Sequence, residues 1–246
     1  MVPRLGPSDP MPPATTALAE PNGLVAVGGG LSVPRLLDAY CRGIFPWFDD
    51  GDPVLWWSPD PRLVLPTDAV HVSRSLARRL RRRDVTVTAD TAFAEVIAAC
   101  AAPRDGDRRT WITADMQRAY LALHRHGAAN SLEVWAEGRL AGGIYGVAIG
   151  RAFFGESMFS RVTDGSKLAI AYLACQLARW GVPFIDCQVT SDHLLTLGAV
   201  EMPRREFLRQ VAALVDQAAL PGPWQLDPDL PDRVAEPAAR TGHASP

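Results

Sequence analysis

The stretch IDCQVTSDHLLTLGA, residues 185–199, sets an acid, a thiol and an amide side by side as Asp186, Cys187 and Gln188, and follows them with Asp192 and His193. Two chemistries can be built from it. A thiolate served by a histidine and an acid is a hydrolase nucleophile, and such groups assemble in space rather than along the chain. A carboxylate beside an amide instead makes a site that orients an amine and handles its proton, because the amide both donates and accepts. VPFIDCQVT reads as a strand, whose period of two puts Phe184, Asp186 and Gln188 on one face and Ile185, Cys187 and Val189 on the other. The thiol is therefore expected inside, among apolar neighbours. SDH reads as the cap of a short helix, and the reacting face falls to Asp186 and Gln188.

A second acid stands out in FFGESMFS. The same period groups Phe154, Glu156 and Met158 on one face, and a carboxylate among large apolar side chains is costly unless it has a partner. Glu156 is expected to hold a basic group, either of a substrate or of a structural arginine.

The elements that must position these residues are readable in turn. LSVPRLLDAYCRG has Ser32 as cap, Pro34 in the first turn and Gly43 as stop, so it is a short helix. VTVTAD alternates as a strand and TAFAEVIAACAA reads as a helix. WITADMQRAYLALHRHG is a helix opened by Thr113 and closed by Gly127. SLEVWAEGRLAGGIYGVAIGRAFFGESMFS is a run of strands turning at AEGRL and IGRA. DGSKLAIAYLACQLARWG, capped by Asp164 or Ser166, is apolar nearly all round and is expected buried. PRREFLRQVAALVDQA closes the series as a helix. The pattern is α+β around one mixed sheet. Residues 1–19 and 226–246, rich in Pro, Ala and Asp, are expected to be mobile tails, with units at 20–63 and 64–225 between them.

Composition narrows the class. The 246 residues carry a formal charge of −2, with 48% apolar and 21% charged residues, which is ordinary for a globular chain and lacks an overall basic excess. One local patch is basic: RSLARRLRRRD holds Arg74, Arg78, Arg79, Arg81, Arg82 and Arg83 on a short helix, dense enough to meet phosphates. The cysteines at 41, 100, 175 and 187 show no CxxC spacing, so neither a zinc site nor a disulfide framework is indicated. The start lacks a signal peptide's features and no run reaches membrane-spanning length, so a reducing cytoplasm is the expected compartment.

Several strings occur in fixed order over residues 20 to about 210: EPNGLVAVGG, GIFPWF, LWWSPDPR, TWIT, GGIYGVAIGRAFFGESMFSR with SK, DCQVTSDHLLTLGA and MPRREF. Together they resemble the leucyl/phenylalanyl-tRNA–protein transferases. The resemblance implies a small N-terminal α/β domain followed by an N-acetyltransferase-like (GNAT) mixed-sheet domain. It implies transfer of leucine, phenylalanine or less often methionine from its charged tRNA to the N-terminal arginine or lysine of a protein, which marks that protein for degradation by the N-end rule. It makes Asp186 and Gln188, with Glu156, the catalytic centre, and Ile144, Phe153, Met158, Ile170 and Ile185 the pocket for the aminoacyl side chain. A thioether there repacks easily around two shapes.

Trp47 and Trp111 are the aromatics expected against the terminal adenosine of the tRNA, while Trp56 and Trp57 are expected to be structural. Arg74, Arg78, Arg79 and Arg82 are assigned to tRNA phosphates rather than bases. One departure is Ser191, where family members often carry asparagine.

The residues themselves bear on the donor. SRVTDGSKLAIA has one glycine beside an acid, not the glycine-rich turn that would cradle a pyrophosphate at a helix start, so coenzyme A is disfavoured. The reaction needs little help: an ester is already activated, and an α-amine with a pKa of about 8 is partly neutral near pH 7. Positioning, removal of one proton and accommodation of charge on the carbonyl oxygen suffice. Neither metal nor cofactor is required, and a monomer is expected. Two alternatives remain: an aminoacyl-tRNA-dependent or other N-acyltransferase of the same fold with a different acceptor, and a catalytically silent tRNA- or peptide-binding module, against which the presence of Asp186 and Gln188 argues.

Overall fold

The computed structural model describes residues 2–103 and 110–235. Near the N-terminus a four-stranded sheet is built from β1 (Arg4–Leu5), β2 (Leu24–Gly28), β3 (Phe45–Pro46) and β4 (Leu55–Trp57), in the order β1-β2-β4-β3. Helix α1 (Val33–Cys41) lies between β2 and β3 in the chain and ends where Gly43 takes a φ of 68°, a conformation open to glycine at little cost. That turn also aims the Gly43 carbonyl at Arg62 Nη1, 3.2 Å away.

The second sheet has seven strands in the order β11-β5-β10-β9-β8-β7-β6. In chain order they are β5 (Arg62–Pro66), β6 (Thr86–Ala89), β7 (Ala129–Ala136), β8 (Arg139–Ile149), β9 (Ala152–Ser160), β10 (Phe184–Gln188) and β11 (Val200–Met202). All neighbours are antiparallel except β9 and β10, which run parallel and are joined in the chain through α5 (Gly165–Arg179). Two parallel strands need such a long crossover. The start of α5 lies so close on β8 that a Cβ on Gly142 would come within 2.6 Å of the Gly165 backbone, which explains a glycine in the middle of a strand.

The remaining helices are α2 (Arg74–Arg82), α3 (Phe93–Ala101), α4 (Ala114–Arg125), α6 (Asp192–Thr196), α7 (Arg204–Val215) and α8 (Leu230–Ala235). The sheet separates two apolar layers. On one side α1, α3, α4 and α7 contribute Leu36, Val96, Met116 and Phe207 to a core shared with the N-terminal sheet. On the other, α2, α5 and α8 contribute Leu76, Leu80, Leu168, Leu173 and Leu230. The near-uniform burial expected for α5 is observed, since ten of its residues are buried.

The expected mobile tails are corrected in their described parts. Arg4–Leu5 pairs with β2, and Met11 and Ala14 are buried. At the other end Leu230 and Val234 are buried in the second core and Leu226 packs against it. A proline-rich composition hid a few apolar side chains that suffice to fasten each segment. Residues 236–246 of the expected C-terminal tail lie outside the described residues. Strand β5 runs across the expected boundary between 63 and 64, and its residues belong to the large sheet.

Candidate active site

Phe184, Asp186 and Gln188 face the layer of α1, α4 and α7, whereas Ile185 and Cys187 face α5, as the strand period requires. The Cys187 thiol is buried, contacts the Ile185 carbonyl at 3.6 Å, and is pushed far up by desolvation. His193 lies exposed on α6. Cys187 and His193 are thus separated by environment, one sealed in the core and one in water.

Asp186 is 1% exposed and both its oxygens are used. Oδ1 accepts from Arg62 Nε at 2.8 Å and Oδ2 from Arg62 Nη2 at 2.7 Å, a two-pronged pair in which the guanidinium is likewise sealed. The Phe45 and Phe207 rings flank the Arg62 guanidinium carbon at 4.8 and 4.5 Å. Asp186 Oδ1 also accepts the backbone N–H of Gln188 at 3.0 Å. That bond matters because Gln188 has a φ of 59°, a left-handed conformation that a non-glycine residue adopts only when its surroundings hold it there. The ladder to β5 slips at the same place, pairing Asp186 with Val64 and Gln188 with Leu63. The bulge re-aims the Gln188 side chain, whose Nε2 donates to Glu156 Oε1 at 3.3 Å.

Glu156 sits at a second bulge, on the neighbouring strand. Between β8 and β9, Tyr145 pairs with Ser157 and Gly146 with Gly155, so Glu156 is the extra residue. The parallel ladder between β9 and β10 ends at Asp186 opposite Phe154, one step before these two bulges. The carboxylate accepts from Tyr40 Oη at 2.7 Å through Oε1 and from Tyr120 Oη at 2.6 Å through Oε2, and the two hydroxyls also touch each other. Tyr145 packs edge-on to Tyr120, with ring centres 5.5 Å apart. Although a partly accessible edge remains, desolvation dominates: it pushes Glu156 up to about 7 against the opposing pull of the Tyr120 and Tyr40 hydroxyls. Burial, followed by the charge of Glu156, raises the tyrosines well above their ordinary value.

The expected common face for Phe154, Glu156 and Met158 does not survive. The extra residue at Glu156 shifts the alternation, so Met158 pairs opposite Ile144 and packs with the α5 side. Ile144, Phe153, Ile170 and Ile185 are buried in that same layer, and Met158 alone of the five is half-buried. Trp47 is 44% exposed, with its ring 6.2 Å from that of Trp57. Trp111 is half-buried against the first core. Trp56 is sealed, its Nε1 donating to the Gly28 carbonyl. Arg74, Arg78 and Arg82 are exposed on α2, across the sheet from Glu156, and both Arg79 and Arg82 pair with Asp84.

Three residues of the cluster carried no expected role. Arg62 is the closing letter of LWWSPDPR and the first of an apolar strand, a place where an arginine calls for a buried acid. Tyr40 and Tyr120 lie on apolar helix faces, and nothing in their spacing says that they meet one carboxylate. Among the described residues no group of three or more histidines, cysteines and acids is arranged to hold a metal, and no helix is long and apolar enough to cross a membrane.

A carboxylate and an amide are thus aimed at each other from two bulged strands, with the thiol turned away. The family described as leucyl/phenylalanyl-tRNA protein transferase matches residues 64–212, and that family's N-terminal domain matches 29–60. The leucyl/phenylalanyl-tRNA–protein transferase of Thiobacillus denitrificans is 56% identical over 216 residues, 88% of this chain and 95% of its own. That of Xanthomonas oryzae pv. oryzae is 59% identical over 218 residues, 88% of this chain and 87% of its own. Among solved structures, a functionally unknown conserved protein from Staphylococcus epidermidis is 14% identical over 73% of this chain and 68% of its own, with a TM-score of 0.36, a likeness too loose to assign a fold. The chain belongs to the leucyl/phenylalanyl-tRNA protein transferase family and is an aminoacyltransferase, moving an aminoacyl group from tRNA to protein.

Proposed function

We propose that the protein transfers leucine or phenylalanine, and less often methionine, from its tRNA to the N-terminal arginine or lysine of acceptor proteins in the cytoplasm, which directs them to N-end rule degradation. The observation that carries this reading is the meeting of Glu156 and Gln188 within a ring of tyrosines. The acceptor's α-amine attacks the ester carbonyl; the N–C bond forms, the bond to the tRNA's 3′-terminal oxygen breaks, and the amine's proton leaves to that oxygen through the site. No covalent enzyme intermediate is formed.

In this reading Glu156 is the ionisable group at the reacting centre, partly accessible and poised near neutrality, where a carboxylate both attracts a basic N-terminus and exchanges a proton. Gln188 offers its amide to the same centre. Asp186 works one step back: its oxygens are taken by Arg62 and by the Gln188 backbone, so it sets the geometry of Gln188 instead of meeting the amine.

The exposed ring of Trp47, with Trp111, is the stacking surface for the terminal adenosine. Ile144, Phe153, Met158, Ile170 and Ile185 form the aminoacyl pocket, with Met158 at its accessible end. Arg74, Arg78, Arg79 and Arg82 meet tRNA phosphates. One parallel pair within an otherwise antiparallel sheet, with α5 between its strands and both strands bulged past their shared ladder, supports an N-acetyltransferase-like reading of the unit from β5 onward, behind a small N-terminal α/β unit that ends before Arg62.

The test is a mixture of the protein, labelled Leu-tRNA and a protein that begins with arginine. Label is expected on that acceptor and not on one that begins with glycine; an unlabelled arginine acceptor sinks the reading.

A further inference from the structure

We propose that the segment Trp224–Ala235, which lies beyond the family-matched residues, is a brace that positions the arginine helix α2 for tRNA. The inference rests on the reading of α2 as the phosphate-binding surface. Helix α2 is only nine residues long, and its arginines repel one another along it. Isolated helices shorter than about 12–15 residues are marginal in water, so something outside α2 must hold it. Ser73 caps its first turn by accepting the Leu76 N–H, and it buries two side chains, Leu76 and Leu80. Those two lie in the layer that also contains Leu230 and Val234, and α2 packs on α8 as well as on α5. Arg83, the left-handed residue that ends α2, pairs with Asp232 of α8.

The segment is itself fastened without α2. The Trp224 ring meets Trp180 and Phe153 at 5.0 and 5.7 Å, and the Trp224 backbone N–H donates to Asp90 Oδ2 at 3.3 Å. The Asp227 N–H donates to Gln176 Oε1 at 2.8 Å, and Gln176 is fully buried on α5. Arg179 bonds to Asp227 at 2.8 Å and to Asp229 at 2.7 and 2.8 Å. With its bonds made to α5 and to the loop before α3, the segment presents Leu230 and Asp232 to α2 from a fixed platform. The Glu156 carboxylate, by contrast, is on the other side of the sheet, among α1 and α4. Truncating Leu230 and Val234 on α8 removes packing against α2 and keeps the Trp224 ring on Phe153 of the proposed pocket, so it is directed at the tRNA body rather than at the reacting centre.

The experiment compares two donors: whole Leu-tRNA, and leucyl-adenosine, which carries the same ester on the terminal nucleoside and no phosphate. In Leu230→Ala and in the paired Leu230→Ala/Val234→Ala variant, KM for Leu-tRNA is expected to rise by about tenfold and its salt dependence to flatten, as follows from lost phosphate contacts. KM and kcat with leucyl-adenosine are expected to stay within about twofold, and Leu230→Met, which keeps the packed volume, is expected to restore the tRNA values. Equal losses with both donors overturn the brace, because they mean general damage to the fold, and no loss with either overturns it as well. Arg78→Glu/Arg82→Glu separates the two layers of the argument. If that variant binds Leu-tRNA normally, the tRNA reading of α2 itself falls. If it binds poorly while the Leu230 variants bind normally, only the brace falls.

Discussion

Arg62 and Asp186, 124 residues apart in sequence, meet through two parallel hydrogen bonds in a site closed to water, and the same aspartate fixes the left-handed backbone of Gln188. Removing one member leaves a charge buried without its partner, which costs about 3–5 kcal/mol. Asp186→Asn is therefore expected to lower stability by that order in urea unfolding, and Arg62→Met similarly. The double variant Arg62→Met/Asp186→Asn should lose clearly less than the sum. Additive losses would falsify the coupling. If Asp186 acts through Gln188, as proposed, its variant should lower kcat more than it raises KM for the acceptor.

Glu156 supplies a pH signature. Its folded value of about 7 lies above the ordinary carboxylate range, so between the two values the folded protein holds a proton that the unfolded chain has released. Stability from this group is accordingly greatest below the ordinary value and falls as pH rises towards 7. Glu156→Gln should flatten that fall in melts recorded between pH 5 and about 8. In activity, kcat/KM should rise with pH through about 7 in the wild type, and that limb should be absent from Glu156→Gln. The tyrosine hydroxyls stabilise the ionised carboxylate, so Tyr120→Phe and Tyr40→Phe should move the limb to higher pH. A limb that stays put in both would remove the tyrosines from the mechanism.

Much of this centre was legible in the sequence, and the parts that were not share a cause. Strand period alone sorted Asp186 from Cys187, because both neighbours of β10 are in register up to that point. The same period misplaced Met158, since the extra residue at Glu156 leaves no mark in residue type. Glu156 was visible as an acid in an apolar string, but its partners come from α1 and α4, and such long-range hydrogen bonds are not written in local spacing. The segments at both ends were misread for a related reason: Met11, Leu230 and Val234 are isolated apolar residues in polar, proline-rich sequence, and only the fold reveals that each enters a core.

The thiol gives a clean negative. Cys187 faces α5 with its thiol raised by burial, and the nearest histidine in sequence, His193, is in water. Cys187→Ser is expected to keep transferase activity within a few-fold and to lose a modest amount of stability from burying a hydroxyl, of order 1–3 kcal/mol. Thiol-directed alkylation of the folded protein should likewise leave Cys187 unmodified. Complete loss of transfer in a folded Cys187→Ser variant would restore the nucleophile.

Trp47 separates binding from folding. Its ring is 44% exposed and touches Trp57 at 6.2 Å, so removing it sacrifices little core. If the open face stacks on the terminal base, Trp47→Ala should weaken donor binding by about 1–3 kcal/mol, roughly five- to a hundredfold in KM, with a melting temperature close to that of the wild type. Since the terminal adenosine is common to both donors, the penalty should be the same with Leu-tRNA and with leucyl-adenosine, unlike the penalty expected of the arginine helix. Trp47→Phe should recover part of it, because a smaller ring still offers a face to the base. A Trp47→Ala variant with unaltered KM for leucyl-adenosine would place the base elsewhere and leave Trp47 as a packing residue beside Trp57.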